Sequence, residues 1–224
     1  MTSAEDVPHI EVVRGSLGAV LAGGQSRRVG RDKAMIPFFG QPLIQHVCKV
    51  LEEVFTEVVI VCGPTRSYDF LGLPVLTDLV SNSGPLGGIY TALKHSSDRA
   101  AFVVACDLPY INRDLVEYVL NFPSATALER KNFSTPTPAL VKFPIQDRVR
   151  QPLCGWYSPG CVPVLADLLA RAELGVFNFL EQIETVLVPI TQDQKFYRNN
   201  LLFNLNTPED WEKIRGDCSK YSGP

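Results

Sequence analysis

Three short apolar runs constrain this chain more than any other feature. Residues 17–22 (LGAVLA), 57–62 (EVVIVC, apolar after Glu57) and 100–106 (AAFVVAC) are runs of apolar residues rather than alternating. A strand with one wet face alternates; a strand buried on both faces does not. The segments between the runs have a helical period. Pro42 opens one of them, with Leu43, Ile44, Val47, Val50, Leu51 and Val54 spaced to form a single apolar face. Residues 86–95 also read as helical despite their Gly pair, and residues 74–76 as a short strand before Thr77-Asp78. Strands in series with helices predict an α/β protein: a three-layer, Rossmann-like fold with a mostly parallel central sheet. In such sheets ligands bind outside the carboxyl ends of the strands. The loop after the first run, Asp78 and Asp107 all fall at such ends.

The second half is less regular. Residues 137–142, 153–157, 185–190 and 201–205 read as strands, and 162–172 and 208–214 as helices. Thr207 is a plausible cap for the last helix, with Pro208 at its first position and Asp210 three residues on. The chain has 224 residues, 46% of them hydrophobic, and shows no linker-like tract, low-complexity run or repeat. The expected organisation is one domain over residues 17–215, with an N-terminal extension (1–16) and a C-terminal tail (216–224).

Charge and cysteine content exclude several functions. The formal net charge is −3 with the signs interspersed, which lacks the basic stripe of a general nucleic-acid binder. An anionic small-molecule substrate remains compatible, because a few local cations hold one. The six cysteines form no CxxC pair and no zinc-type cluster with histidine. Cys62 and Cys106 each end an apolar run, as buried, reduced thiols would. No signal-peptide pattern opens the chain, and no apolar stretch approaches the ~18 residues a membrane span requires. These features predict a cytoplasmic protein without a membrane partner. His46 and His95 lack metal-ligand companions, and Trp156 and Trp211 read as packing residues.

The chemistry concentrates in residues 21–34, LAGGQSRRVGRDKA. Gly23 and Gly24 directly follow the first strand, where adjacent glycines let backbone approach a ligand closely. Their amides, with those of Gln25 and Ser26, can form an anion-binding concavity. Arg27, Arg28, Arg31 and Lys33 add cations against a single acid, Asp32. A triphosphate requires this pairing of backbone donors and positive charge. The Walker pattern and the G-x-G-x-x-G fingerprint are both absent, which disfavours ATPases and nicotinamide dehydrogenases. Asp107 follows the third run and lies too early to cap the helix starting near Asn112, so it is a candidate Mg²⁺ ligand. The segment GPLGG (84–88) reads either as a helix start beside a ligand or as an ordinary Pro-Gly turn. Asn204 and Asn206, two apart on an expected strand, share a face and need partners there, either backbone or substrate. There is no GxSxG or HExxH motif and no case for a covalent nucleophile.

LAGGQSRRVGRDKA, TDLVSNSGPLGGI, CDLP and LNTPED occur in one order. Together they resemble the molybdenum cofactor guanylyltransferases over roughly residues 17–214. Val29 stands where that family's LAGGxSxRMGxDK pattern has Met. Cys62-Gly63-Pro64 stands where members often carry a nucleotide-contacting Asn. The resemblance implies a nucleotidyltransferase fold and transfer of GMP from Mg-GTP to the phosphate of molybdopterin, with release of pyrophosphate. It implies GTP binding by Leu21, Ala22, Gly23, Gly24, Lys33, Asp78 and Asp107, with Mg²⁺ on Asp107. Lys33, Asp107 and Arg28 would be the catalytic groups, and Asn204 and Asn206 would belong to the molybdopterin side. Molybdoenzymes or their chaperones would receive the product. Competing readings are a molybdopterin cytidylyltransferase, whose relatives tend to carry LAAG, or a sugar-1-phosphate nucleotidylyltransferase. From another class comes a non-catalytic nucleotide-binding partner protein, against which the intact Lys33 and Asp107 argue.

Overall fold

The computed structural model describes residues 15–23, 32–64, 68–123 and 140–220. The expected strand β1 is Leu17–Leu21, followed after a 3-10 turn (Lys33–Met35) by a small hairpin, β2 (Pro37–Phe38) and β3 (Gln41–Pro42). Helix α1 (Leu43–Glu52) leads to β4 (Val58–Cys62) and β5 (Val75–Thr77). Helix α2 (Gly84–His95) then leads to β6 (Ala101–Ala105) and α3 (Arg113–Asn121). The remaining elements are β7 (Val141–Gln146), β8 (Val149–Arg150), β9 (Cys154–Tyr157), α4 (Val162–Ala170), α5 (Val176–Leu180), β10 (Thr185–Pro189) and α6 (Pro208–Lys220).

The continuous apolar runs are two-faced strands, as expected. In β1, Val20 turns to one core while Leu17, Ala19 and Leu21 turn to the other. Strands β4 and β6 divide in the same way: Val58, Ile60, Phe102 and Val104 face one side, and Val59, Val61, Ala101 and Val103 the other. The first core is roofed by α1 through Ile44, Val47 and Leu51, and by α3 through Leu115, Val116 and Val119. The second is roofed by α2 through Leu86, Ile89 and Leu93, and by α4 through Leu165 and Leu168. The result is a three-layer α/β/α stack.

Among the described residues the main sheet runs β10-β7-β9-β6-β1-β4-β5, with β8 beside β7. Strands β6, β1, β4 and β5 are mutually parallel; β9 is antiparallel to both β6 and β7, and β10 is parallel to β7. The chain leaves β1 for β4 and β5 on one side, then returns to β6 on the other. Order therefore reverses between β1 and β6, and a crevice opens beyond their carboxyl ends.

Four differences from the sequence reading have physical reasons. Residues 201–205 are not a strand. Leu201, Leu202 and Leu205 are buried, which imitates strand patterning, but the backbone turns at Leu201 N–H to the Arg198 carbonyl and at Phe203 N–H to the Asn200 carbonyl. The segment is anchored by side chains instead of a ladder: Gln146 Nε2 donates to the Arg198 carbonyl at 2.8 Å. The strand expected at 137–142 is Val141–Gln146, and residues 124–139 lie outside those described. The helix expected over 162–172 stops at Ala170 because Ala172 turns left-handed, at φ 55°. The last helix continues past residue 214 to Lys220. Thr207 does cap it: Thr207 Oγ1 accepts from Asp210 N–H at 3.2 Å, while the Asp210 carboxylate accepts from the Asn206 and Thr207 amides.

Candidate active site

A cavity of about 200 Å³ lies over the β1/β6 crevice. It is lined by the strand ends Leu21, Ala22, Gly23, Val61, Ala105, Cys106 and Asp107. Asp32 and Lys33 close one side, Asp78 and the start of α2 (Gly84, Pro85, Gly88) another, and Leu153 a third. Of the candidates read from the sequence, Leu21, Ala22, Gly23, Lys33, Asp78 and Asp107 thus share one cavity. Gly24 and Arg28 lie outside the described residues, as do Gln25, Ser26, Arg27, Val29 and Arg31.

Backbone ladders fix the cavity floor. Ala22 N–H donates to the Val61 carbonyl, Cys106 N–H to Leu21 and Asp78 N–H to Cys62, so each loop departs from a pinned strand end. Helix α2 approaches β1 closely because residue 88 is glycine: a Cβ there would lie 2.9 Å from Leu21 Cδ2. Gly84 has φ +59°, a conformation that a side-chain-bearing residue adopts only under strain. Ser83 makes no capping bond to this helix; its hydroxyl donates to the Val80 carbonyl instead. The helix therefore starts at the cavity wall without a side-chain cap. GPLGG is accordingly a helix start on the cavity wall.

Two carboxylates lining this cavity each keep one oxygen without a partner among the described residues. Asp107 and Asp78 each carry an Oδ1 shut off from solvent with no hydrogen bond. Asn112 caps α3 by accepting from Leu115 N–H at 2.9 Å, which leaves Asp107 unused by the helix. Burial raises the Asp107 carboxyl above its ordinary range, against the opposing field of Lys33. Burial raises Asp78 as well. A buried, unpartnered acceptor is costly, and a hard cation that takes oxygen ligands is one group such an oxygen can hold. The described residues contain no cluster of three or more His, Cys, Asp or Glu side chains that could hold a metal ion.

Lys33 approaches Asp107 from the 3-10 turn. Asp32 caps that turn by accepting from Ala34 N–H at 3.1 Å, and its other oxygen accepts from the Tyr68 hydroxyl at 3.0 Å. Lys33 Nζ donates to Asn206 Oδ1 at 3.2 Å. Leu205 N–H donates to the Asp107 carbonyl at 2.9 Å. The segment carrying Asn204 and Asn206 is therefore tied to both Lys33 and Asp107. Asn206 is exposed and Asn204 half-buried, and neither lies on a shared strand face.

Other expectations resolve simply. Cys62 is buried, but Cys106 is only half-buried, because β6 ends at Ala105 and Cys106 already stands on the cavity rim. His46 is half-buried beside Phe38, with its basicity lowered by burial, and His95 lies 3.5 Å from Glu57. Trp156 and Trp211 pack against the first core. Tyr68 and Leu153 gave no motif-level signal: one follows a loop after β4 and the other precedes β9.

A three-layer α/β fold with two carboxylates, a lysine and an uncapped helix start over its switch point is an arrangement that suits a nucleotidyltransferase. Residues 18–186 match the MobA-like NTP transferase domain, and the chain belongs to that family. A protein of Pelotomaculum thermopropionicum described as a probable molybdenum cofactor guanylyltransferase is 33% identical over 199 residues, covering 88% of this chain and 91% of its own. The molybdenum cofactor guanylyltransferase of Syntrophotalea carbinolica is 32% identical, covering 88% of this chain and 89% of its own. Among solved structures, the molybdopterin-guanine dinucleotide biosynthesis protein A of Archaeoglobus fulgidus shares the fold, with a TM-score of 0.73 at 24% identity over 91% of this chain and 99% of its own. Among the described residues no helix is long and apolar enough to cross a membrane.

Proposed function

We propose that this protein transfers GMP from Mg-GTP to the phosphate of molybdopterin, releasing pyrophosphate. The observation that carries this reading is the convergence of Lys33, Asp78 and Asp107 on one switch-point cavity, with one buried oxygen of each carboxylate unpartnered among the described residues. The relatives named as molybdenum cofactor guanylyltransferases support the choice of nucleotide and acceptor.

An oxygen of the acceptor phosphate attacks the α-phosphorus of GTP. A new P–O bond forms there, the α–β bridging P–O bond breaks, and pyrophosphate leaves with the electron pair. No proton need be removed from an anionic phosphate, so positioning and charge supply most of the catalysis. Leu21, Ala22, Gly23 and Gly24 seat the nucleotide against the end of β1. Lys33, with Arg28, offsets phosphate charge. Asp107 holds Mg²⁺, and Asp78 completes the nucleotide side. When bound, Mg²⁺ supplies charge neutralisation at triphosphate oxygens. Asn204 and Asn206 serve the molybdopterin side, where the Lys33–Asn206 contact links the two substrates' positions.

The nucleotidyltransferase domain is assigned to residues 17–215, with the 1–16 extension before it and after it a 216–224 tail whose first residues, to Lys220, continue α6. The reaction belongs in the cytoplasm, with delivery to molybdoenzymes or their chaperones. The thiols of Cys48, Cys154 and Cys161, none in a disulfide, suit a reducing compartment. The test is pyrophosphate release with molybdopterin, Mg²⁺ and each of GTP, CTP, UTP and ATP. GTP should be preferred; a preference for CTP would refute the guanine assignment.

A further inference from the structure

The cavity's lysine is held by a relay that starts in the core. Tyr68 is 1% exposed, with its ring packed in the first core. Its hydroxyl donates to Asp32 Oδ2 at 3.0 Å, while Asp32 Oδ1 accepts from Ala34 N–H at 3.1 Å. Asp32 is thus gripped through both oxygens, and the 3-10 turn it caps begins with Lys33. Ala34 is fully buried, so the turn is anchored on the far side of the lysine too. Lys33 then reaches the cavity and Asn206.

We propose that the Tyr68 hydroxyl is a positioning group for the Lys33 ammonium, acting through the Asp32 carboxylate. A carboxylate beside a triphosphate site opposes its ligand, and an unrestrained one can swing onto the adjacent ammonium. The Tyr68 hydroxyl and the Ala34 amide hold both oxygens in place and so leave Lys33 for phosphate. Hydrogen bonds to a charged acceptor are the stronger kind, which suits a fixed pivot. The inference rests on the guanylyltransferase reading for its substrate, although the relay itself is a property of the protein.

The test is Tyr68→Phe, which keeps the buried ring and removes only the hydroxyl. Mg-GTP affinity is measured by calorimetry in the native protein, Tyr68→Phe, Lys33→Ala and the double variant, alongside the melting temperature. Tyr68→Phe should weaken Mg-GTP about tenfold, the scale of one charge-assisted hydrogen bond. It should cost little further in the Lys33→Ala background, because both changes act on the same group. Unchanged affinity, with or without a lower melting temperature, would overturn the proposal; so would an equal loss in both backgrounds. A second readout needs no nucleotide: the acylation rate of Lys33 by an amine-directed reagent, followed by mass spectrometry with Lys49 as reference. Tyr68→Phe should change the Lys33 rate alone, and an unchanged rate would overturn the relay. If the native protein bound no nucleotide, the functional reading would fail while the acylation experiment still decided the positioning role.

Discussion

Asp107→Asn should abolish transfer and yet stabilise the free protein. Asp107 Oδ1 is closed off from solvent and unpartnered, and its carboxyl is raised chiefly by burial, with Lys33 pulling the other way. An unsatisfied buried acceptor costs about 1–3 kcal/mol, and more when it is charged. Asparagine keeps an oxygen there and loses the Lys33 attraction, so only part of that cost is recovered. A net gain of about 1–2 kcal/mol remains. For a chain of this size that is about 2–8 °C in melting temperature. The pH dependence has a definite sign. Because the folded pKa lies above the unfolded value, the native state binds more protons between the two, and stability falls as pH rises through that window. The advantage of Asp107→Asn should therefore be greatest near neutral pH and shrink as pH approaches about 4. The assay is thermal unfolding in a chelator across that range. Lower stability than the native protein at pH 7, or an advantage that grows on acidification, would refute the reasoning.

Lys33→Ala should abolish pyrophosphate release with little change in melting temperature, as measured by a coupled phosphate assay beside circular dichroism; normal turnover would remove Lys33 from the site. Gly88→Val drives carbon into Leu21, whose Cδ2 already lies 2.9 Å from an added Cβ, and should destabilise by about 1–3 kcal/mol in denaturant titration while weakening nucleotide binding. Gln146→Ala removes the anchor on the Arg198 carbonyl and should raise the acceptor's KM severalfold with Mg-GTP affinity unchanged in steady-state kinetics. Thr207→Ala should cost about 1 kcal/mol by loss of the α6 cap, read from the urea midpoint.

The parallel half of the fold was legible because burial on both faces leaves a direct trace in sequence: β1, β4 and β6 are the three continuous runs. Strand ends were legible for the same reason, and they placed Leu21, Ala22, Gly23, Asp78 and Asp107 around one cavity. The second half was harder because burial there is achieved by other means. Leu201, Leu202 and Leu205 carry strand-like spacing, yet their backbone is held by Gln146 and by the Asp107 carbonyl. Such partners are remote in sequence and leave no period. Tyr68 is hidden for a similar reason, since a buried tyrosine looks like core until its hydroxyl's partner is known. Cys106 was placed one residue too deep, because an apolar run does not mark where the ladder stops.

The most direct test of the account follows the α-phosphate. The protein is incubated with GTP labelled at that phosphorus, molybdopterin and Mg²⁺, and the products are separated. The account predicts label in a dinucleotide that joins GMP to molybdopterin, with an equal amount of pyrophosphate released. Label recovered only in GDP or free GMP, or a dinucleotide formed from CTP in preference to GTP, would contradict it.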